Sequence, residues 1–253
     1  MRFIRYQTKT EPARYGWVFE GKVGAMEGLP YAEFRRQEAS LPLESVRLLP
    51  PVLPGKIICV GRNYAEHARE HDAEVPDLPL LFLKPPSAVI GPDSPILLPP
   101  QSQQVEHEAE LAVVIGKRGR WIQTSDALSY VLGYTIANDV TARDLQRRDG
   151  QWTRGKGFDT FCPLGPWIVT DLNPSGLAVT CRVNGQVLQA GNTADMVFKV
   201  WNLISFISQV MTLEPGDVVM TGTPAGVGPL SPGDVVEVEI EGIGTLTNEV
   251  VSE

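Results

Sequence analysis

The sequence predicts an α+β fold, mainly β, built from antiparallel or mixed sheet and not from a regular βαβ alternation. Three observations predict it. The 24 Gly and 21 Pro among 253 residues fall as punctuation between short apolar runs, the pattern of many strands joined by tight connections. One segment alone, "VFKVWNLISFISQVM", has the length and spacing of a long helix. A hydrophobic content of 43% supplies a sizeable core, and the length suits one large domain with a small appendage.

Residues 1–50 read as a small N-terminal β-rich domain. "RFIRY", "YGWVFE" and "KVGAM" are its strands, and a polar, acidic stretch follows. "LLPPVLPGK" is a proline-stiffened linker into a main domain spanning 55–253. There, "KIICV" and "PLLFL" are strands, and "NYAEHAREH" between them is a helix, since it has no Gly or Pro. "YVLGYTIANDV" is another apolar run, and "ARDLQRR" after it a short helix. "LAVTCRVNGQVLQ" is a hairpin turning at Asn184-Gly185. In the long helix, Val197, Val200, Trp201, Ile204, Ile207 and Met211 form one face, while Leu203 and Phe206 extend burial around most of its circumference. "DVVMTG", "DVVEVEIEG" and "GTLTNEVV" are the closing strands. There is no internal repeat.

Composition excludes several function classes. A net charge of −8 with no basic run is unsuited to a general nucleic-acid surface. Cys59, Cys162 and Cys181 are odd in number and lack CxxC spacing, so they read as reduced core thiols. No signal peptide and no long uninterrupted apolar stretch is visible. A soluble, reducing, cytoplasmic setting fits best.

"VEHEAELAVVIGK" carries the first candidate chemistry. In a continuous strand Glu106, Glu108 and Glu110 share one face with Ala112 and Val114. "VVEVEIEG" offers the contrast: Val236, Val238 and Ile240 alternate with Glu237, Glu239 and Glu241, an ordinary strand with a charged outer face. Beyond Glu110 both faces are apolar, so the row sits at the mouth of a buried strand. Carboxylates clustered there repel one another and lose hydration unless a cation compensates. Mg²⁺ or Ca²⁺ would do so, because hard cations prefer oxygen ligands. Taken alone, the row fits a solvated strand end better than a metal cradle, because exposed Glu is common. Asp139, at the end of the "YTIAND" run, offers a third carboxylate or a plain turn residue. Asp126 and Asp144 read as cap and helix residues.

Seven blocks in order, "VGRNYAEHAREH", "LFLKP", "HEAELAVVIGK", "DVTARDLQ", "WTRGKGFDTFCPLGPWIV", "VNGQVLQAGNTADMVFKV" and "TGTPAGVG", closely resemble the fumarylacetoacetate hydrolase family, in particular its short members. The resemblance runs from about Gly55 to Val250, and residues 1–50 match only loosely. It implies a mixed β-sandwich roll, a homodimer, and one divalent metal per active site, Mg²⁺ or Mn²⁺. It implies Glu108, Glu110 and Asp139 as metal ligands, with Glu106 a solvated neighbour. His67 and Glu70 become the catalytic pair, neighbours at i, i+3 on a helix, with Glu70 orienting His67 to take a proton from water. Lys156, between Gly155 and Gly157 in a flexible loop, is the catalytic cation for a substrate carboxylate or oxyanion. Arg143, Gln146 and Thr223 are substrate-binding residues. His71 and His107 receive no role. "TGTPAGVG" lacks the Lys-Ser/Thr of a phosphate loop and reads as a tight turn near the substrate.

The activity this implies is C–C hydrolysis of small 2,4-dioxo acids of the acylpyruvate type, through an enolate that the metal stabilises. The alternatives are an oxaloacetate decarboxylase/tautomerase, or a 2-hydroxyhepta-2,4-diene-1,7-dioate isomerase/decarboxylase of aromatic catabolism. From another class, a catalytically silent 2-oxo-acid binder would keep the metal cradle without needing His67 and Glu70.

Overall fold

The computed structural model describes residues 1–253 and turns each strand segment read above into strand. β1 (Arg2–Gln7), β2 (Arg14–Phe19) and β3 (Lys22–Gly28) form an antiparallel meander. The polar stretch after them is strand too: β4 (Phe34–Pro42) pairs with β3 at the sheet edge. Its residues are almost all exposed, so it shows no apolar alternation. β5 (Arg47–Leu49) pairs with β1. Next come β6 (Ile57–Gly61), α1 (Ala65–Glu70) and β7 (Leu80–Lys84). α1 stops after six residues, because His71 leaves helical geometry and Asp72 takes φ +51°.

The middle of the chain holds β8 (Val89–Ile90), β9 (Ile96–Leu98), β10 (Val105–His107), β11 (Ala109–Ile115), β12 (Val131–Asn138) and β13 (Thr141–Ala142). Two short helices follow, α2 (Arg143–Asp149) and α3 (Thr153–Lys156). The last third comprises β14 (Cys162–Val169), β15 (Ala178–Val183), β16 (Gln186–Asn192) and α4 (Val200–Val210). It ends with β17 (Val218–Met220), β18 (Gly228–Pro229), β19 (Val235–Ile240) and β20 (Gly244–Ser252). β15 and β16 turn at Asn184 and Gly185, both at positive φ, as a two-residue hairpin of the expected kind requires. No helix is long and apolar enough to cross a membrane.

The main sheet runs β4-β3-β2-β1-β14-β12-β11-β17-β6-β7, and the second runs β16-β15-β19-β20-β9. Phe3 of β1 lies opposite Ile168 of β14, so residues 1–50 continue the main sheet. One face of that sheet packs Ile58, Val60, Leu111 and Val113 against Val236 and Val238 of the second sheet and Leu203 and Ile204 of α4. The other face packs Ile57, Ala112, Val114 and Val218 with Phe3 and Met26 from the N-terminal strands. β11 is therefore covered on both sides, which is why its apolar run does not alternate. Each fully buried Ile or Leu here contributes roughly 1.5–3 kcal/mol. The three cysteines are unpaired and buried, and burial pushes the Cys162 and Cys181 thiols up to about 12, as inert core thiols require.

Candidate active site

The glutamate row does not lie on one strand face. β10 belongs to a small sheet with β13 and β18, and β11 to the main sheet, and the chain crosses between them at Glu108. The crossing is held by Glu108 N–H donating to Asn138 Oδ1 at 2.9 Å and by Asp139 N–H donating to the Glu108 carbonyl at 2.9 Å. Those bonds seat Asp139, just past the end of β12, against Glu108. The carboxylates of Glu108, Glu110 and Asp139 each bring an oxygen within 4.8 Å of the others, and all three are buried.

Glu106 is not a solvated neighbour. It is 5% exposed and accepts from Arg143 Nε at 2.7 Å and from Gln104 Nε2 at 2.6 Å. The small sheet folds β10 under α2, and the Arg143 guanidinium offsets the desolvation that burial imposes.

Three cations face the four acids. Lys156 Nζ bridges Glu108 Oε2 at 2.8 Å and Asp139 Oδ2 at 2.7 Å. It is buried at the end of α3, with its ammonium 5.1 Å from the Phe82 ring centre, and does not sit in the flexible loop the flanking glycines suggest. Lys84, at the end of β7, donates to Asp139 Oδ1 at 2.5 Å and to the Val140 carbonyl at 3.1 Å. Arg143 divides its donors among Glu106, Glu108 Oε1 at 2.5 Å and Gln146 Oε1 at 2.5 Å. Burial alone would raise the Glu108 carboxyl; Lys156 and Arg143 overcome it and hold the group well below the usual carboxylate range. Glu110 has no cation of its own. Gly222 N–H donates to its Oε2 at 2.7 Å, but burial and the charges of Asp139 and Glu108 push its carboxyl well above the usual range.

His67 stands beside this cluster. Its Nδ1 is 3.3 Å from Glu70 Oε2, and Glu70 is itself held by Gly226 N–H at 3.0 and 3.3 Å. Burial lowers the His67 pKa, with partial opposition from Glu108 and Glu70, so the ring is neutral at pH 7. The "TGTPAGVG" turn thus aims two backbone N–H groups at site carboxylates, Glu110 and Glu70. Thr223 of the same turn is buried and accepts from Gln189 Nε2 at 2.8 Å.

One cavity of about 330 Å³ opens onto this cluster, and its lining includes every sequence-predicted site residue except Glu70. Lys84 and Gln189 escape sequence reasoning. Lys84 is signalled only by a charge closing the "LLFLK" run. Gln189 looks like an exposed hairpin residue, yet it is fully buried and makes four hydrogen bonds, to His107 Nδ1, Ala109 N–H, Thr223 Oγ1 and the Pro224 carbonyl. Arg62 and Arg147 also line the cavity and form no ion pair.

The donor set fits a hard divalent cation. Three buried carboxylates converge, and Glu110 is left without the positive charge that burial demands.

The comparisons agree on one set of relatives. The family model for the fumarylacetoacetate (FAA) hydrolase C-terminal domain matches residues 56–251, and a Rv2993c-like N-terminal model matches residues 1–51. The chain is 51% identical over 224 residues to human mitochondrial oxaloacetate tautomerase FAHD2A, covering 83% of this chain and 71% of that one. It is 46% identical to 5-carboxymethyl-2-hydroxymuconate delta-isomerase of Mycobacterium smegmatis, with a TM-score of 0.92 over 100% of both chains. It is 45% identical to 2-hydroxyhepta-2,4-diene-1,7-dioate isomerase of Mycobacterium marinum, with a TM-score of 0.92 over 100% of this chain and 99% of that one.

Proposed function

This chain belongs to the fumarylacetoacetate hydrolase family, and from that premise we propose that it is a Mg²⁺- or Mn²⁺-dependent enzyme of keto–enol chemistry on small 2-oxo dicarboxylic acids, of the oxaloacetate tautomerase or 2-hydroxyhepta-2,4-diene-1,7-dioate isomerase type. The observation that carries the substrate class is the pair of arginines, Arg62 and Arg147, lining the cavity without carboxylate partners. A guanidinium forks onto carboxylates, and a diacid has a second one to present there. The tautomerase and isomerase relatives support the same class and favour it over simple acylpyruvate hydrolysis.

Glu108, Glu110 and Asp139 would hold the ion, which supplies Lewis acidity toward a 2-oxo acid. Arg62 and Arg147 orient the distal carboxylate of the substrate. Nδ1 of His67 is engaged by Glu70, which leaves Nε2 as the nitrogen that takes and returns the proton moved between carbon and oxygen. Glu70 fixes the tautomer and supports the charged ring. Lys156 keeps its ammonium against Glu108 and Asp139, where it meets negative charge as it develops on substrate oxygen. Arg143 is held by Glu106, Glu108 and Gln146, so it positions the Glu108 carboxylate and offers a substrate less than its full fork.

C–C hydrolysis of acylpyruvates stands as a second reading, because the same neutral His67 can activate water. Turnover of oxaloacetate, 2-hydroxyhepta-2,4-diene-1,7-dioate, fumarylpyruvate and acetylpyruvate, each with Mg²⁺ and with EDTA, separates the two. Metal-dependent interconversion of the diacids, with slow acetylpyruvate cleavage, is expected. Efficient acetylpyruvate cleavage without diacid isomerisation would overturn the first reading in favour of the second. Tight binding of oxaloacetate with no turnover of any substrate would indicate a silent binder.

A further inference from the structure

The helix that carries the His67–Glu70 pair holds a third donor beside them. His67 to His71 reads His-Ala-Arg-Glu-His. Two histidines four apart on one helical face, with a glutamate between them, are spaced to grip zinc. His71 is the C-cap of α1, yet its ring stays against that of His67, centroids 4.8 Å apart and edge to face. One donor atom from each of His67, Glu70 and His71 lies within 4.8 Å of the other two. The Glu70 carboxylate is pinned by Gly226 N–H, so it is presented to the rings and not left swinging in solvent. Nε2 of His71 is buried with no hydrogen-bond partner, a state that calls for an occupant. Both rings line the cavity of the acidic cluster, so an ion has a route in.

We infer that His67, Glu70 and His71 form a second metal site, for a borderline cation such as Zn²⁺, whose occupation withdraws His67 and Glu70 from the reaction. The donor sets tell the two sites apart. Glu108, Glu110 and Asp139 offer oxygen alone, which hard Mg²⁺ prefers, whereas two imidazoles and one carboxylate suit zinc. The binding half stands on the geometry of α1; the inhibitory half rests on the role given to His67 above.

Zn²⁺ binding to the full chain is measured by equilibrium dialysis and metal analysis, with Mg²⁺ in large excess to keep the acidic cluster filled. One Zn²⁺ per chain is expected above that background. His71→Gln, and independently His71→Ala, weaken it by at least about 10–100-fold, the scale on which even supporting partners of a metal matter. Glu110→Gln leaves it unchanged. Displacement of Zn²⁺ by Mg²⁺, or an affinity untouched by both His71 variants, overturns the site. Turnover is then titrated with Zn²⁺ and read against each variant's own zinc-free rate. Inhibition that moves to higher Zn²⁺ in His71→Gln, in step with the dialysis, supports the inhibitory half. Zinc bound at His71 without inhibition overturns that half and the role of His67 together, while the site stands.

Discussion

At the scale of single residues, His67 and Lys84 separate two jobs that the cavity combines. His67 hydrogen-bonds to Glu70 and to no carboxylate of the proposed metal cluster, so His67→Ala is expected to leave Mg²⁺ affinity by calorimetry nearly intact. Turnover falls by about 10²–10⁴-fold, the range for a lost general base. Burial holds the His67 pKa below the ordinary value of about 6.5, so the neutral, proton-accepting ring persists below that pH. The acid limb of the rate is therefore centred below 6.5; a limb centred above 6.5 would contradict this. Lys84 makes the opposite case. Its side chain and that of Asp139 are fully buried, so Lys84→Met leaves Asp139 with Lys156 as its one remaining cation and costs the metal-free protein at most about 3–5 kcal/mol. Mg²⁺ returns part of that loss, and urea unfolding with and without the ion measures both. Glu108, Glu110, Asp139 and His67 were picked out through the resemblance carried by the ordered motif blocks, since the carboxylate row alone reads as a solvated strand end. Glu106, Lys84 and Gln189 were not, since their burial depends on a partner far along the chain, 37, 55 and 34 residues away for Arg143, Asp139 and Thr223.

At the scale of elements, strands with an apolar rhythm were readable and those without one were not. β19 alternates and folds as it reads, with Val236, Val238 and Ile240 inside. β4 is exposed on both faces and is a strand only because β3 pairs with it. The break at Glu108 was equally hidden, because no Gly or Pro marks the place where the chain changes sheets. The turn from Thr221 to Gly226 shows how an unremarkable connection controls the site. Gly226 takes φ +96°, and a Cβ there would stand 2.1 Å from the Leu188 carbonyl oxygen, so Gly226→Ala must move backbone. The N–H that holds Glu70 moves with it. Gly226→Ala is therefore expected to lower kcat by about tenfold or more, the loss of roughly 1.4 kcal/mol of orientation, with KM for the diacid little changed. A variant that keeps full kcat would show that the turn does not position Glu70.

Across the whole molecule, strand order was the least legible feature. β1 beside β14, and β17 parallel to β6, join segments more than 150 residues apart, and local pattern carries no trace of such pairings. The same long-range pairings bring four acids and three cations into one buried centre, and the surplus acid couples folding to pH and metal. Glu110 has a raised pKa in the folded, metal-free chain. Between its unfolded value and that raised value the folded state binds more protons than the unfolded one, so this group's contribution to stability falls as pH rises. The three histidines, two buried and His71 half-buried, have lowered pKa values and act oppositely: their contribution is complete above about 6.5 and is lost as pH falls below it. The two effects overlap in a single melting curve, and the difference between melts in Mg²⁺ and in EDTA separates them. Mg²⁺ needs ionised ligands, so its stabilisation is small near pH 5 and grows as pH rises. At a hundredfold excess over Kd it reaches about 2.7 kcal/mol, or about 5–10 °C in Tm for a chain of this size. The histidine contribution is common to both melts and cancels. Glu110→Gln removes the surplus charge and one ligand together. Its EDTA melt should lose the decline with pH that Glu110 imposes on the wild type, and its Mg²⁺ increment should shrink at every pH. An increment independent of pH in the wild type would mean that the ion does not bind through Glu110.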